Sequence, residues 1–230
     1  MKETGSVGMS VAVVKKGKLI FTDAYGYRDL ENKKPLDSKH IFRIASISKS
    51  FTATSIMQLV DAGKVSLDED VSNLIGFTVR NPKFPDKIIS LRLMLSHLSS
   101  INDNEGYFNL DVIDPNKNPN WMKAYSDYAP GDSFLYCNLN YNMIGAILER
   151  ASQQRFDDYV IQQVLKPLSL YGGYDVTKLD SSRFAYIYEY NTDSKKYTRS
   201  AGAYAVRPEL KDGYQLGRTT PVFSPTGGMK

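Results

Sequence analysis

Two short apolar, β-branched runs, residues 9–14 and 18–25, are parted by Lys15, Lys16 and Gly17, a pattern that predicts a two-stranded hairpin. From residue 46 to 62 the apolar positions recur at helical spacing, and Gly63 stands where helix C-termini favour left-handed backbone. Residues 67–71 predict a turn leading into a short helical piece. Asp68, Glu69 and Asp70 there read as a capped, solvated turn, because Asn73 stands where a calcium loop needs glycine. Residues 91–97 predict a short helix, and the Asn, Asp, Gly and Pro of residues 99–119 predict a long loop. After the turn at Pro130 and Gly131, Tyr141, Ile144, Ile147, Leu148 and Ala151 recur at helical spacing, and residues 156–165 predict a further amphipathic helix ending before Pro167. Tyrosines then alternate over residues 184–200 around Asn191, Thr192 and Asp193, which predicts a second hairpin. Strands, then helices, then a weaker β segment, with no βαβ rhythm, predict an α+β fold.

Composition narrows this little. At 230 residues, with 42% hydrophobic and 23% charged positions, the chain has ordinary globular usage and length for a substantial core. Its net charge of +4 comes from bases interspersed with acids, such as Lys33, Lys34 and Asp37, so no basic stripe for nucleic acid is predicted. No apolar run is long enough to predict an integral membrane segment, and the N-terminus lacks the pattern of a signal peptide. The single cysteine, Cys137, excludes an internal disulfide.

One helix changes the picture. Between Ser46 and Val60 the sole charged residue is Lys49, three positions after Ser46. A helix without charges is normally buried, and a buried lysine without an acid partner favours its neutral amine. Residues three apart on a helix share a face, so the hydroxyl of Ser46 and the amine of Lys49 are predicted to meet as nucleophile and base. A capping serine followed by a lysine reaching to the surface would give the same letters.

Such a pair needs a proton relay and a substrate anchor. Tyr136 and Asn138 have the right chemistry: a phenol beside an ammonium has its pKa lowered, and an asparagine amide both donates and accepts. Their structural readings are Tyr136 as core and Asn138 as a helix cap, and Tyr107, Phe108 and Asn109 form a second Tyr-x-Asn. His40 and His97 lack metal-ligand companions, and His97, between Leu95 and Leu98 in sequence, reads as structural. The chain has no G-x-S-x-G elbow, P-loop, dinucleotide fingerprint or H-E-x-x-H.

Residues 42–53, FRIASISKSFTA, resemble the active-serine segment of the serine β-lactamase and penicillin-binding-protein superfamily, and are most similar to its class C β-lactamase, DD-peptidase and esterase branch. Residues 8–26, 67–71, 93–101 (LMLSHLSSI), 130–149 (PGDSFLYCNLNYNMIGAILE) and 166–170 resemble further segments in the same order. The resemblance implies Ser46 as acylated nucleophile, Lys49 as its activating amine, Tyr136 rather than Tyr107 as proton relay, and Asn138 as substrate-amide contact. It implies a helical region packed beside an antiparallel sheet. The substrates it implies are a β-lactam, a D-Ala-D-Ala peptide or an ester, as a small molecule or peptidoglycan peptide, with no metal or organic cofactor and a periplasmic or extracellular setting.

Three departures stand out. Cys137 and Ser100 replace smaller residues usual at those positions, and no K-T-G or H-x-G third motif follows Asn138; Lys211, Asp212 and Gly213 read as a turn. Residues 225–229 resemble the family's glycine-rich approach to a late helix, so C-terminal sheet strands are expected to be missing from this chain, with loss of one oxyanion donor and impaired activity. Residues 1–230 are thus expected to be one incomplete catalytic domain: a strand pair in 1–45, a mainly helical part with the active serine in 46–180, and a hairpin and C-terminal approach in 181–230. The competing expectations are a non-catalytic module binding cell-wall peptide or β-lactam, and an inactive fragment.

Overall fold

The first hairpin forms where the β-branched runs place it. In the computed structural model, which describes residues 5–211 and 213–230, strands β1 (Gly8–Lys15) and β2 (Lys18–Asp29) pair antiparallel from Gly8 opposite Gly26 to Lys15 opposite Lys18. Lys16 and Gly17 both take positive φ, 49° and 72°, the turn geometry that matches strand twist. A two-residue strand β3 (Lys34–Pro35) adds to β2. Buried Asp29 ties the connection by accepting from the backbone and side-chain nitrogens of Asn32. The second predicted hairpin is β4 (Tyr188–Asn191) with β5 (Lys196–Arg199). Asn191 Oδ1 accepts from the N–H groups of Asp193 and Ser194, which closes its turn. Both sheets belong to one compact unit, the chain up to Arg43 with Val176–Val206 and Lys230. Its aromatic centre is Phe184 stacked on Tyr204 at 4.5 Å.

The helices belong to a second unit, Ile44–Asp175 with Arg207–Met229. Helix α1 (Ser48–Asp61) ends at Gly63 with φ 67°, as expected, but it begins later than the sequence predicts: Ser46 lies on a preceding 3-10 turn, Ala45–Ile47. Short helices α2 (Val71–Ile75) and α3 (Leu91–Leu95) are each capped by a side chain, Asp70 accepting from Ser72 N and Ser90 from Leu93 N. Asp68 and Asp70 are also paired with Arg92 and Arg80. Helix α4 (Asn138–Ser152) is the centre of this unit, buried continuously from Leu139 to Glu149, and α1, α2 and α3 pack against it. Gly145 allows one close approach: a Cβ there would sit 2.5 Å from Pro225 Cγ. The amphipathic run after Arg155 is α-helical only over α5 (Phe156–Val160) and widens into a π turn, Ile161–Leu165. Within the predicted long loop, Asn109 caps a 3-10 turn, Leu110–Ile113. Asp212, in the Lys-x-Gly triplet, lies outside the described residues. The elements make an α+β protein, helices gathered in one unit and antiparallel strands in the other.

Candidate active site

A strained turn presents Ser46. Ala45 before it has φ 47°, and Ser48 anchors the turn by donating its hydroxyl to Ala45 O and accepting from Met229 N at 3.0 Å. Ser46 is exposed while Lys49, in the first turn of α1, retains 7% of its surface. Lys49 Nζ lies 3.4 Å from Ser46 Oγ, 2.9 Å from Asn138 Oδ1 and 3.0 Å from Thr226 O. The same nitrogen sits 4.7 Å from the Tyr136 ring centroid and 5.6 Å from that of Tyr141. The lysine therefore has no carboxylate among these hydrogen-bond partners, and it does not reach the surface.

The other residues singled out in the sequence converge here. Tyr136 is half-exposed, against the core alternative, and its hydroxyl is hydrogen-bonded to Lys49 and Ser46. Burial pushes that hydroxyl up, but the two hydrogen bonds and the Lys49 charge outweigh it, so its pKa lies below the ordinary tyrosine value. Asn138 is the first residue of α4, with Cys137 at the cap position; its side chain faces Lys49 and does not cap the helix. The rival Tyr107 and Asn109 serve elsewhere: Tyr107 O accepts from Asn142 Nδ2, and Asn109 caps its own turn. His97, read from the sequence as structural, lies against the Tyr136 ring. Its Nδ1 accepts from Cys137 N at 3.1 Å, its ring lies 4.6 Å from that of Tyr136, and burial holds its pKa below the ordinary histidine value, aided by the Lys49 charge.

Three residues escaped the sequence reading. Asp103 accepts from Asn138 N, Asn138 Nδ2 and Leu139 N, each at 2.9 Å, and from Cys137 Sγ at 3.3 Å. Thr226 offers its carbonyl to Lys49 and donates its hydroxyl to Asn138 Oδ1 at 2.8 Å. Asn142, one turn along α4 from Asn138, accepts from Thr226 N at 3.2 Å. A signal for Asn142 existed in its i, i+4 spacing from Asn138; Asp103 and Thr226 are brought in by tertiary folding. Among the described residues no group of three or more His, Cys, Asp or Glu is placed to hold a metal ion, and no helix is long and apolar enough to cross a membrane.

Among the described residues no carboxylate is a hydrogen-bond partner of Lys49 Nζ, and the Ser46 hydroxyl, Lys49 amine, Tyr136 phenol and Asn138 amide lie in one cluster. The chain resembles "Protein flp" of Staphylococcus aureus (strain MRSA252), 27% identical over 174 residues that cover 71% of this chain and 34% of that protein. It also resembles "Penicillin-binding protein 4*" of Bacillus subtilis (strain 168), 26% identical over 82% of this chain and 43% of that protein. The chain therefore spans well under half the length of these curated relatives. Among solved structures, the octameric penicillin-binding protein homologue from Pyrococcus abyssi superposes with a TM-score of 0.76 at 25% identity, over 100% of this chain and 50% of that one. The Beta-lactamase family model matches residues 1–230, and the chain belongs to that family.

Proposed function

We propose that the protein is a serine hydrolase that forms an acyl-enzyme on Ser46, with Lys49 and Tyr136 as base and proton relay and Asn138 as the contact for a substrate amide. The observation that carries this reading is the hydrogen-bond arithmetic at Lys49. Thr226 O and Asn138 Oδ1 are acceptors only, so they hold two N–H bonds of Lys49, and the remaining position on the nitrogen faces Ser46 Oγ at 3.4 Å, where a proton can pass between them. Ser46 attacks an acyl carbonyl as its proton passes to Lys49. Tyr136, touching both groups, returns a proton to the leaving group as the acyl–leaving-group bond breaks. Water then reverses the path, adding to the acyl carbon and restoring the Ser46 hydroxyl. Asn138 Nδ2 has one hydrogen on Asp103 and a second for a substrate carbonyl. The substrate class is a β-lactam, a D-Ala-D-Ala peptide or an ester.

Intact-mass analysis after incubation with a fluorescent penicillin, and separately with a fluorophosphonate, tests the reading. The expected result is one adduct on the parent chain, none on Ser46→Ala, and acylation of Lys49→Ala slowed by about 100- to 10,000-fold. An adduct that survives Ser46→Ala would overturn it. Reversible penicillin binding that survives Ser46→Ala, with no adduct on the parent, would make the protein a binding module instead.

A further inference from the structure

We propose that Asp103 is a positioning residue for this chemistry: by holding the Nδ2 end of Asn138 it turns Oδ1 onto Lys49 Nζ, and so aims the remaining valence of the amine at Ser46 Oγ. The inference rests on the hydrolase reading above for its consequence, and on geometry for its substance. The two ends of an asparagine amide have almost the same shape, so packing does not choose between them; hydrogen-bond partners do. An ionised carboxylate is acceptor-only, and Asp103 Oδ2 meets Asn138 Nδ2 at 2.9 Å. The opposite end meets donors, Lys49 Nζ and Thr226 Oγ1. In the flipped amide, Oδ1 would oppose the carboxylate and Nδ2 would oppose the lysine. Lys49 would then keep one obligate acceptor instead of two, and nothing would fix which of its valences faces Ser46.

Asp103 is itself held in place. Leu139 N and Cys137 Sγ donate to one carboxylate oxygen, and Asn138 N donates to the other. The carboxylate is therefore anchored on the first N–H groups of α4 while its free lone pair selects the amide. Helix capping alone would account for the backbone contacts, but not for the bond to the side chain of Asn138.

The test is a double-mutant cycle of Asp103→Ala with Asn138→Ala in the 230-residue chain. It is read by the saturating acylation rate with fluorescent penicillin, by the apparent binding constant, by Tm, and by NMR hydrogen exchange of the Asn138 Nδ2–H pair. Asp103→Ala is expected to lower the saturating rate about 10- to 100-fold with little change in binding, and to speed Nδ2–H exchange about 10-fold or more. In the Asn138→Ala background the same substitution should change the rate less than about twofold, while Tm falls as much as before, because the cap is lost in both. Should Asp103→Ala fail to fold, Asp103→Asn, which keeps an acceptor for Leu139 N while its NH2 group replaces the oxygen shared by Asn138 N and Nδ2, is expected to give the same pattern. Equal rate losses in both backgrounds, or Nδ2–H exchange unchanged by the substitution, would overturn the inference. A parent chain that is never acylated would sink the hydrolase reading instead, and the exchange measurement would still decide whether Asp103 positions Asn138.

Discussion

Tyr136 and Lys49 share one environment but are exposed differently, and the difference sets what each can do. Lys49 is enclosed by acceptors and rings, whereas Tyr136 reaches solvent with 46% of its surface. Burial raises the Tyr136 pKa, while the hydrogen bonds to Lys49 and Ser46 and the Lys49 charge lower it to a net value beneath 10.0. Removing Lys49 deletes two of the lowering causes, so the sign is fixed. The phenolate absorbance that distinguishes the parent from Tyr136→Phe should develop below the ordinary tyrosine value, and it should move to higher pH in Lys49→Ala. A Tyr136 signal indifferent to Lys49→Ala would remove it from the proton path. At this scale the sequence was most readable: a serine and a lysine three positions apart, the latter the sole charge over residues 46–60, are local facts. Asp103 was not readable, because its partner Asn138 is 35 residues away and an aspartate in a polar loop looks like any other.

Helix α4 concentrates the element-scale physics. Residues 139–149 of the helix are buried on every face, so the polar groups there must be satisfied internally. At its start Asp103 supplies the cap; near its end Glu149, fully buried, accepts from Phe156 N at 2.7 Å, Gly217 N at 2.8 Å, and the hydroxyls of Tyr214 and Thr220. Burial raises the Glu149 pKa above 4.5, and these four donors reduce the rise without cancelling it. The folded state therefore binds this proton more tightly than the unfolded one. The stabilisation from Glu149 is full below about 4.5 and is lost as pH rises through its higher folded value. Glu149→Ala should cost on the order of 3 kcal/mol, since three buried donors and the part-buried Tyr214 hydroxyl lose their acceptor. Glu149→Gln should flatten the fall in stability above that pH. Denaturant unfolding across the acid range measures both, and an unchanged slope in Glu149→Gln would assign the pH dependence to other groups. The spacing of Tyr141, Ile144 and Ile147 predicted this helix, but not its total burial, which depends on Pro225 and Thr220 closing over Gly145 from a distant segment.

The molecule as a whole divides its chemistry from its strands. The cluster at Lys49 is built within the helical unit, from residues 46 to 226, and the first hairpin of the other unit carries a run of exposed apolar side chains. Val13, Val14, Leu19, Ile20 and Phe21 are all exposed, and among the described residues β1 pairs with β2 alone, which leaves an open edge. The 230-residue chain is expected to bind a hydrophobic dye and to associate in a concentration-dependent way. Replacing Leu19 and Phe21 by threonine should diminish both in dye titration and sedimentation velocity. A monomeric chain with no dye binding would show that these side chains are covered in solution.

The sequence by itself determined the α+β order of elements, both hairpins and the placing of Ser46 close to Lys49, because alternation, turn residues and i, i+3 spacing act over a few positions. It placed the start of α1 at Ser46, two residues before the α-helix begins, because periodicity does not distinguish a 3-10 turn from an α turn. Tertiary structure alone decided which way Asn138 faces and that Thr226 supplies the second acceptor, and it brings Tyr136, which the family resemblance implies over Tyr107, against Lys49. Those are choices among groups of equal local standing, and only hydrogen-bond partners brought together from distant parts of the chain distinguish them.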